Sequence, residues 1–420
     1  MKQYDSYKDS GVEWIGEVPS HWEVVPLKRA ITINNGCDYK HVQVEEDGYP
    51  VIGSGGQFAW ANQYMYDGEA VLLGRKGTID KPMYYNGKFW TVDTMFYGIP
   101  KKNANCKYLY YQAKNIPFER YATATALPSM TQTDLNNNTI CLPPLDEQIV
   151  IANYLDKKCS EIDNVISAQQ KRIALLQELK QSVITHAVTK GLNPNVEMKD
   201  SGVEWIGKMP KHWEIYKIKN CCKSEQYSIK TGPFGTQLKG EDLQPQGDVA
   251  VYSQQNVINN DFTNIRYFVS FKKAEALKGF YTKPNDVLVT SRGTIGKAAI
   301  LSSSFSNGIL HPCLIALRLK QEICLNDWLV MYINETDCFK TDVSLSSNAT
   351  TIDVIYTGTL KNIYIPVPPH EEQLKILRSI KIKCSSIDSS ISKAQHQVEL
   401  LQEYKQSLIT EVVTGKRRVS

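Results

Sequence analysis

The sequence has no long apolar run, no paired-cysteine motif, no catalytic signature and little excess charge, and each gap removes a class of function. No stretch reaches the roughly 18 apolar residues of a membrane-spanning helix. The opening Met1-Lys2-Gln3-Tyr4-Asp5 lacks the apolar core of a secretory signal, so a cytoplasmic protein with no membrane partner is expected. The ten cysteines form no Cys-x-x-Cys pair, and no histidine stands at finger-like spacing. Cys221 and Cys222 are adjacent, which suits neither zinc nor a strain-free disulfide; reduced, mostly buried thiols and no metal site follow. There is no Gly-x-Ser-x-Gly, no His-Glu-x-x-His and no glycine-rich cofactor loop. The two Pro-Pro pairs are followed by Leu145 and His370, not by the aromatic residue of an adenine-methylation motif. The string Gly293-Thr294-Ile295-Gly296-Lys297-Ala298 has two residues between its glycines where a Walker loop has four, and Ala298 where that loop has Ser or Thr. His21 and His212 each precede a tryptophan, where packing is the simpler role. A chain that performs no catalysis itself and carries no cofactor is therefore expected.

What is present begins with length and repetition. At 420 residues, with 42% hydrophobic and 22% charged residues, the chain has an ordinary globular composition and room for several domains. Lys8-Asp9-Ser10-Gly11-Val12-Glu13-Trp14-Ile15-Gly16 recurs as Lys199 to Gly207, and His21-Trp22-Glu23 as His212-Trp213-Glu214, both at an offset of 191. Gly77-Thr78-Ile79 with Lys81 recurs as Gly293-Thr294-Ile295 with Lys297, at an offset of 216. Pro143-Pro144, Glu147-Gln148 and Leu176-Gln177-Glu178 recur as Pro368-Pro369, Glu372-Gln373 and Leu401-Gln402-Glu403, at a constant 225. One unit has been duplicated, with insertion inside its middle part.

The stretch with constant offset is a helix by its periodicity. Leu155, Cys159, Ile162, Ile166, Gln169, Ile173, Leu176, Lys180, Val183 and Ala187 alternate at four and three, as do Ile380, Cys384, Ile387, Ile391, Ala394, Val398, Leu401, Lys405, Leu408 and Val412. Both are coiled-coil seams, and the two helices are natural partners. Each starts after Pro-Pro with acidic residues in its first turn, Asp146 and Glu147 or Glu371 and Glu372, which complement the helix dipole; Gly191 and Gly415 mark the ends. Lys180 and Lys405 share one seam position, where a lysine either snorkels outward or fixes register as a buried polar group. Between the helices and the repeated motifs lie short β-branched and aromatic runs broken by Gly, Asn and Pro, read as mixed, strand-rich domains. The organisation expected is α+β: an N-terminal segment 1–23, a recognition domain 24–145, a long helix 146–191, a linker 192–214 repeating the N-terminal segment, a second recognition domain 215–370, and a second long helix with a basic tail, 371–420.

Net charge is only +4, yet its distribution is uneven. Residues 217–320 hold 14 Lys or Arg against 7 Asp or Glu, and residues 24–142 hold 12 against 10, so the second domain has the stronger positive field. Candidate DNA contacts are the cationic Gly-Thr-Ile turns, Arg75, Lys76, Thr78 and Lys81 in the first copy and Arg292, Thr294 and Lys297 in the second, which aim amides and cations at phosphates. The copies differ elsewhere: Ser54 stands in Gly53-Ser54-Gly55-Gly56 of the first, and Gln254, Gln255 and Asn256 in the second carry amides suited to adenine, with Arg292 suited to guanine or phosphate. The aromatic residues between 58 and 97 are mostly assigned to core. A scaffold held together by its paired helices, with DNA irrelevant, is the rival reading.

With these features the chain resembles the specificity subunits of type I restriction-modification systems. The resemblance rests on Gly-Val-Glu-Trp-Ile-Gly before each domain, the Gly-Thr-Ile turn within it, and Leu-Pro-Pro-Leu-Asp-Glu-Gln or Val-Pro-Pro-His-Glu-Glu-Gln before each helix. It implies two target recognition domains reading the halves of a split, asymmetric double-stranded DNA target. It also implies antiparallel helices that set the spacing and dock two modification subunits, with restriction subunits joining. S-adenosylmethionine, ATP and Mg would belong to those partner subunits. The seam and docking residues implied are Leu155, Ile162, Ile166, Ile173, Leu176, Val183, Ile387, Ile391, Val398, Leu401 and Leu408.

Overall fold

The computed structural model describes residues 3–121, 128–305, 307–346 and 354–419. The chain divides into two units, one of residues 1–171 with 394–420 and one of residues 172–393. Each unit thus holds one recognition domain, one end of the first long helix (Leu145–Lys190) and the opposite end of the second (His370–Val413).

Each repeated motif folds the same way in its own unit. In the first, Tyr7–Asp9 pairs antiparallel with Glu17–Pro19, and the loop between turns through Gly11 and Gly16, both at φ +71°. Met198–Asp200 and Lys208–Pro210 repeat the hairpin in the second unit. The loop buries Ile15 or Ile206, and the following Trp22 or Trp213 is fully buried. The helix-stop glycines have a steric reason. Gly191 and Gly415 both have positive φ, and a Cβ on Gly415 would lie 2.2 Å from Pro19 Cδ, so a side chain there displaces the hairpin from the helix end.

The junctions of each recognition domain are clamped side by side. Glu23–Pro26, where the chain enters, pairs antiparallel with Thr139–Leu142, where it leaves; Glu214–Lys217 pairs with Tyr364–Val367 in the same register. The Glu-Gln that follows each Pro-Pro then ties three parts together. Gln148, fully buried, accepts from Asn105 N at 2.9 Å and donates to Asn103 O and Pro143 O, while Gln373 accepts from Leu325 N and donates to Ile323 O and Pro368 O. Glu147 accepts from Tyr4 Oη at 2.5 Å and Trp22 Nε1 at 3.2 Å and lies 2.9 Å from His21 Nε2; Glu372 lies 2.7 Å from His212 Nε2. His21 and His212 are thus hydrogen-bonded packing residues at helix starts.

The first recognition domain is built on a seven-stranded sheet in the spatial order Ile31–Asn35, Met95–Pro100, Tyr66–Gly74, Met83–Thr91, Tyr49–Gly53, Gly56–Ala61 and Gln43–Val44. All its pairings are antiparallel except Tyr49–Gly53 with Met83–Thr91. The second has two smaller sheets, Ile229–Thr231, Leu314–Leu317, Val287–Thr290 and Ala298–Ile300 in one and Tyr267–Val269, Val249–Tyr252 and Ile309–Leu310 in the other. Of the aromatics between 58 and 97, Phe89, Trp90 and Phe96 are core, whereas Phe58, Trp60 and Tyr64 are exposed.

Within each unit an end of the first long helix packs antiparallel against an end of the second. Along the first, Leu155, Cys159, Ile162, Ile166 and Ala187 are buried and Ile173, Leu176 and Val183 half-buried. Along the second, Val398, Leu408 and Val412 are buried and Ile387, Ile391 and Leu401 half-buried. Leu155, Ile162, Ile166, Val398 and Leu408 belong to the core of the first unit, and Ile184, Ala187, Ile376 and Ile380 to that of the second. No helix among the described residues is long and apolar enough to cross a membrane.

Candidate nucleic-acid interface

The two Gly-Thr-Ile turns are the cationic features that the duplication places at equivalent points. In the first unit the strand Tyr66–Gly74 ends at Gly74, where a Cβ would lie 2.3 Å from Thr78 O; the close return of the turn onto the strand end requires glycine. Gly77 has φ +80° and donates to Pro128 O at 2.9 Å, while Met130 N donates to Arg75 O at 2.9 Å. In the second unit Ile355 N donates to Ser291 O at 2.8 Å, the same bond under the repeat, and Gly293 and Gly296 have φ +68° and +69°. The offset of 216 at the turn and of 225 at the segment bridged to it meet in that single contact. Each turn is thus held by the segment leading toward the exit strand of its domain.

Cations on both turns rest on aromatic rings. The Arg75 guanidinium lies 5.8 Å from the Phe96 centroid and donates to Asp93 O at 3.3 Å; Arg292 lies 5.0 Å from the half-exposed Phe234 ring. Such stacking orients the planar fork while leaving its edge N–H groups for a partner. Arg75 and the exposed Lys76 line a recess of about 370 Å³ with Asn35, Ser129, Gln132 and Thr133. Thr78 is half-buried and Lys81 exposed.

In the second unit the structure brings Gln254 to the turn: its Nε2 donates to Thr294 O at 3.2 Å, beside Gly293 and the exposed Arg292. Lys297 is also exposed, with its backbone amide on Thr290 Oγ1 at 2.9 Å. Gln255 is exposed and donates to Asn259 Oδ1. Asn256 is differently placed. It is buried, its Oδ1 accepts from Ser253 N and Oγ at 2.9 Å, and its Nδ2 donates to Asp261 O and Asn264 O at 2.9 Å. Its amide is fully engaged in capping the helix and bonding the following loop, unlike those of Gln254 and Gln255. Ser54 sits half-buried at the tip of the hairpin Tyr49–Gly53 and Gly56–Ala61, away in sequence and sheet position from the Arg75 turn.

Residues that sequence reading did not single out join these surfaces. Phe234 and Phe96 lie 58 and 21 positions from their arginines, and only the fold pairs them. Lys88 stands 5.6 Å and 4.9 Å over the rings of Tyr49 and Tyr64, making a second exposed cation-aromatic group in the first unit. The Thr131-Gln132-Thr133-Asp134 cap, which fixes the wall of the Arg75 recess, carried a legible signature, Thr followed three residues later by Asp.

A duplicated frame with two different cationic surfaces is the architecture of a two-headed DNA-recognition subunit. The chain belongs to the family defined by the type I restriction modification DNA specificity domain, which residues 19–175 and 210–398 both match. It is 28% identical to the type I restriction enzyme MjaVIII specificity subunit of Methanocaldococcus jannaschii, over 83% of this chain and 76% of that protein. It is 18% identical to the type I restriction enzyme EcoBI specificity subunit of Escherichia coli, over 97% of this chain and 89% of that one. Two solved structures share the fold at 15% identity. One, from work on complex assembly and conformational transition of the type I R-M system, has a TM-score of 0.70 and covers 94% of this chain and 98% of its own. The other, the HsdS subunit from Thermoanaerobacter tengcongensis, has a TM-score of 0.51 and covers 95% and 98%.

Proposed function

We propose that the chain is the DNA-reading subunit of a type I restriction-modification complex, in which each recognition domain reads one half of a split, asymmetric target and the paired helices set the spacing and dock two modification subunits. Restriction subunits join that assembly. What supports this is the pair of turns built on one hydrogen-bond frame but furnished differently: Arg75 over Phe96 with Lys76 beside it in one unit, Arg292 over Phe234 with Gln254 alongside in the other. A shared frame presents backbone and cations to phosphate in the same way twice, and different side chains select different bases. Arg292 suits guanine or phosphate and Gln254 suits adenine through its remaining amide positions. Methyl transfer and DNA cleavage fall to the partner subunits, with S-adenosylmethionine, ATP and Mg bound there.

Binding of the purified chain to random-sequence duplex, measured across salt concentrations, tests the reading. An affinity that falls steeply and linearly on a log-log plot supports phosphate contact through these turns. Salt-independent or absent binding, both alone and with the modification subunit, favours the scaffold. Methylated adenine formed by the chain alone with methyl donor would overturn the assignment of chemistry to its partners.

A further inference from the structure

The duplicated frame allows the two units to be compared residue by residue around the short helix that each recognition domain lays against the long helices. Gln148 and Gln373 fix the alignment, since they bind the equivalent atoms Asn105 N and Leu325 N. Tyr110 and Tyr111 then correspond to Val330 and Met331, Lys107 to Asp327, and Asp156 to Lys381. In the first unit the two tyrosines fill the angle between the short and long helices. Their rings lie 5.0 Å apart, Lys114 Nζ stands 4.7 Å over the Tyr110 ring, Tyr111 Oη donates to Asp156 Oδ1 at 2.8 Å, and Lys107 closes the rim on Asp156 Oδ2 at 2.5 Å.

In the second unit the same place is an open groove of about 490 Å³. Its floor is Val330, Met331, Leu377, Ile380 and Cys384. The rim is charged: Arg378 and Lys381 on the long helix, Asp327 and Glu335 on the short one. Lys180, also at the edge, is held by Asp388. Among the described residues no ion pair reaches Arg378, Lys381 or Asp327; the pair equivalent to Lys107 and Asp156 exists in sequence with its signs reversed but is not closed. Ile382, one turn beyond Arg378, is 72% exposed and extends the apolar surface outward. A groove with an apolar floor, whose twin is filled by phenol rings, has the shape and chemistry for an aromatic side chain. Asp327 can accept from a hydroxyl, as Asp156 does in the first unit, and Arg378 with Lys381 complement a carboxylate beside the ring.

We propose that this groove in the second unit receives an aromatic side chain, a tyrosine flanked by an acidic residue, from a modification subunit, while the first unit satisfies the same site with its own Tyr110 and Tyr111. The proposal rests on the reading of the helices as docks for modification subunits. Its consequence is asymmetry: two copies of one partner meet unequal seats, and the copy on the second unit is held more tightly.

Titration of the full-length chain with its modification subunit by calorimetry, with native mass spectrometry to count copies, tests this. Two binding events whose affinities differ at least tenfold are expected. Filling the groove with Val330→Tyr and Met331→Tyr lowers the tighter affinity at least tenfold and brings the events together. The surface double variant Arg378→Glu with Lys381→Glu, which leaves the apolar floor intact, weakens that same event and spares the other. Two equal affinities in the unaltered chain, or a tighter event untouched by the surface variant, overturn the proposal while leaving docking itself standing. Failure of any modification subunit to bind overturns the docking reading and the proposal with it.

Discussion

Lys405 donates to both carboxylate oxygens of Asp163 at 2.6 Å, bridging the second long helix to the first within one unit. The other unit repeats the bridge, Lys180 to Asp388 at 2.8 Å and 2.9 Å. The 225-residue offset converts Asp163 to Asp388 and Lys180 to Lys405, so both bridges are one interaction seen from each end of an antiparallel pair. The seam lysines thus do not simply snorkel. Each carries its charge from the seam to an acid on the facing helix, and a shift of either helix by one heptad separates both pairs at once.

Neutralising one bridge is expected to be mild and neutralising both to disturb register. Both aspartates are about half exposed, so solvent screening limits each pair to about 0.3–1 kcal/mol. Asp163→Asn is expected to cost that amount in urea unfolding, and Lys180→Asp with Asp388→Lys, which keeps the pair but exchanges its ends, to recover most of the loss seen for Lys180→Asp alone. A double-mutant cycle with no coupling energy removes the register role.

Gln148 and Gln373 carry more weight than their neutral side chains suggest. Each joins two backbone groups of the recognition domain to the first proline of its Pro-Pro pair, entirely out of water. Gln148→Ala leaves one N–H and two carbonyls unpaired and is expected to lose about 3 kcal/mol, near the upper end for a buried polar deletion. Gln148→Glu should fare no better, because a carboxylate accepts from Asn105 N but has no hydrogen for Asn103 O or Pro143 O. Chemical denaturation of both variants decides the matter; unchanged midpoints would show the clamp to be ornamental.

The thiols give a prediction with a definite pH sign. Burial pushes Cys106, Cys141 and Cys222 up from 9.0 to about 12, while Cys37 is exposed. A folded pKa above the unfolded one gives stability that is complete below pH 9 and is lost as pH climbs toward 12. Lys230 has the opposite sign: burial first, then Arg318, pulls it from 10.5 to about 8, so its contribution improves over that interval. The net expectation is a decline in unfolding free energy above pH 9 that is steeper in Lys230→Met than in the parent. Brief iodoacetamide treatment at pH 8 should modify Cys37 ahead of all three buried thiols, as peptide mapping will show.

Arg292→Ala is expected to weaken specific DNA binding by about ten- to a hundredfold, within the range for one bidentate contact, with no change in thermal stability. Asn256→Ala is expected to do the reverse, lowering stability through the lost cap and altering recognition only as the fold loosens. Salt-titrated binding and thermal melts on both variants separate the roles. An Asn256→Ala protein of full stability with altered base preference would place that residue among the readers.

How much of this was legible beforehand follows the range of each signal. The duplication, the helix limits to within a residue or two, and the seam were readable because each is periodic or local: Leu155 to Ala187 announces one face of a helix without reference to anything else. The cap that engages Asn256 is local too: Ser253 followed three residues later by Asn256 is a capping pattern, in which backbone groups compete with a base for the same amide. The stacking of Arg292 on Phe234 and the unequal grooves were out of reach. Both depend on tertiary neighbours, and the equivalence of Tyr110 with Val330 is hidden because insertions inside the domain change the offset until Gln148 and Gln373 restore it.

The strand pairs that clamp each domain make the strongest test of the duplicated plan. Residues 23 to 26 pair with 139 to 142 in the register in which 214 to 217 pair with 364 to 367. Entry and exit of either domain therefore lie on neighbouring strands with matched hydrogen bonding, and the helix start beyond is fixed by the same Glu-Gln clamp. A domain whose entry, exit and following helix start are framed alike in both units is exchangeable, its short helix packing on the long helices in either unit. Replacing residues 24–142 with a second copy of 215–367 should give a folded chain whose two heads read the second half-site. On the proposed function the heads take opposite polarity, so the new target should be an inverted repeat of that half-site with the original gap roughly kept. Methylation mapping in cells that express this chain with its modification subunit reads the outcome. A direct repeat contradicts the opposite polarity of the heads, and an unchanged asymmetric target means that residues 24–142 never read the first half.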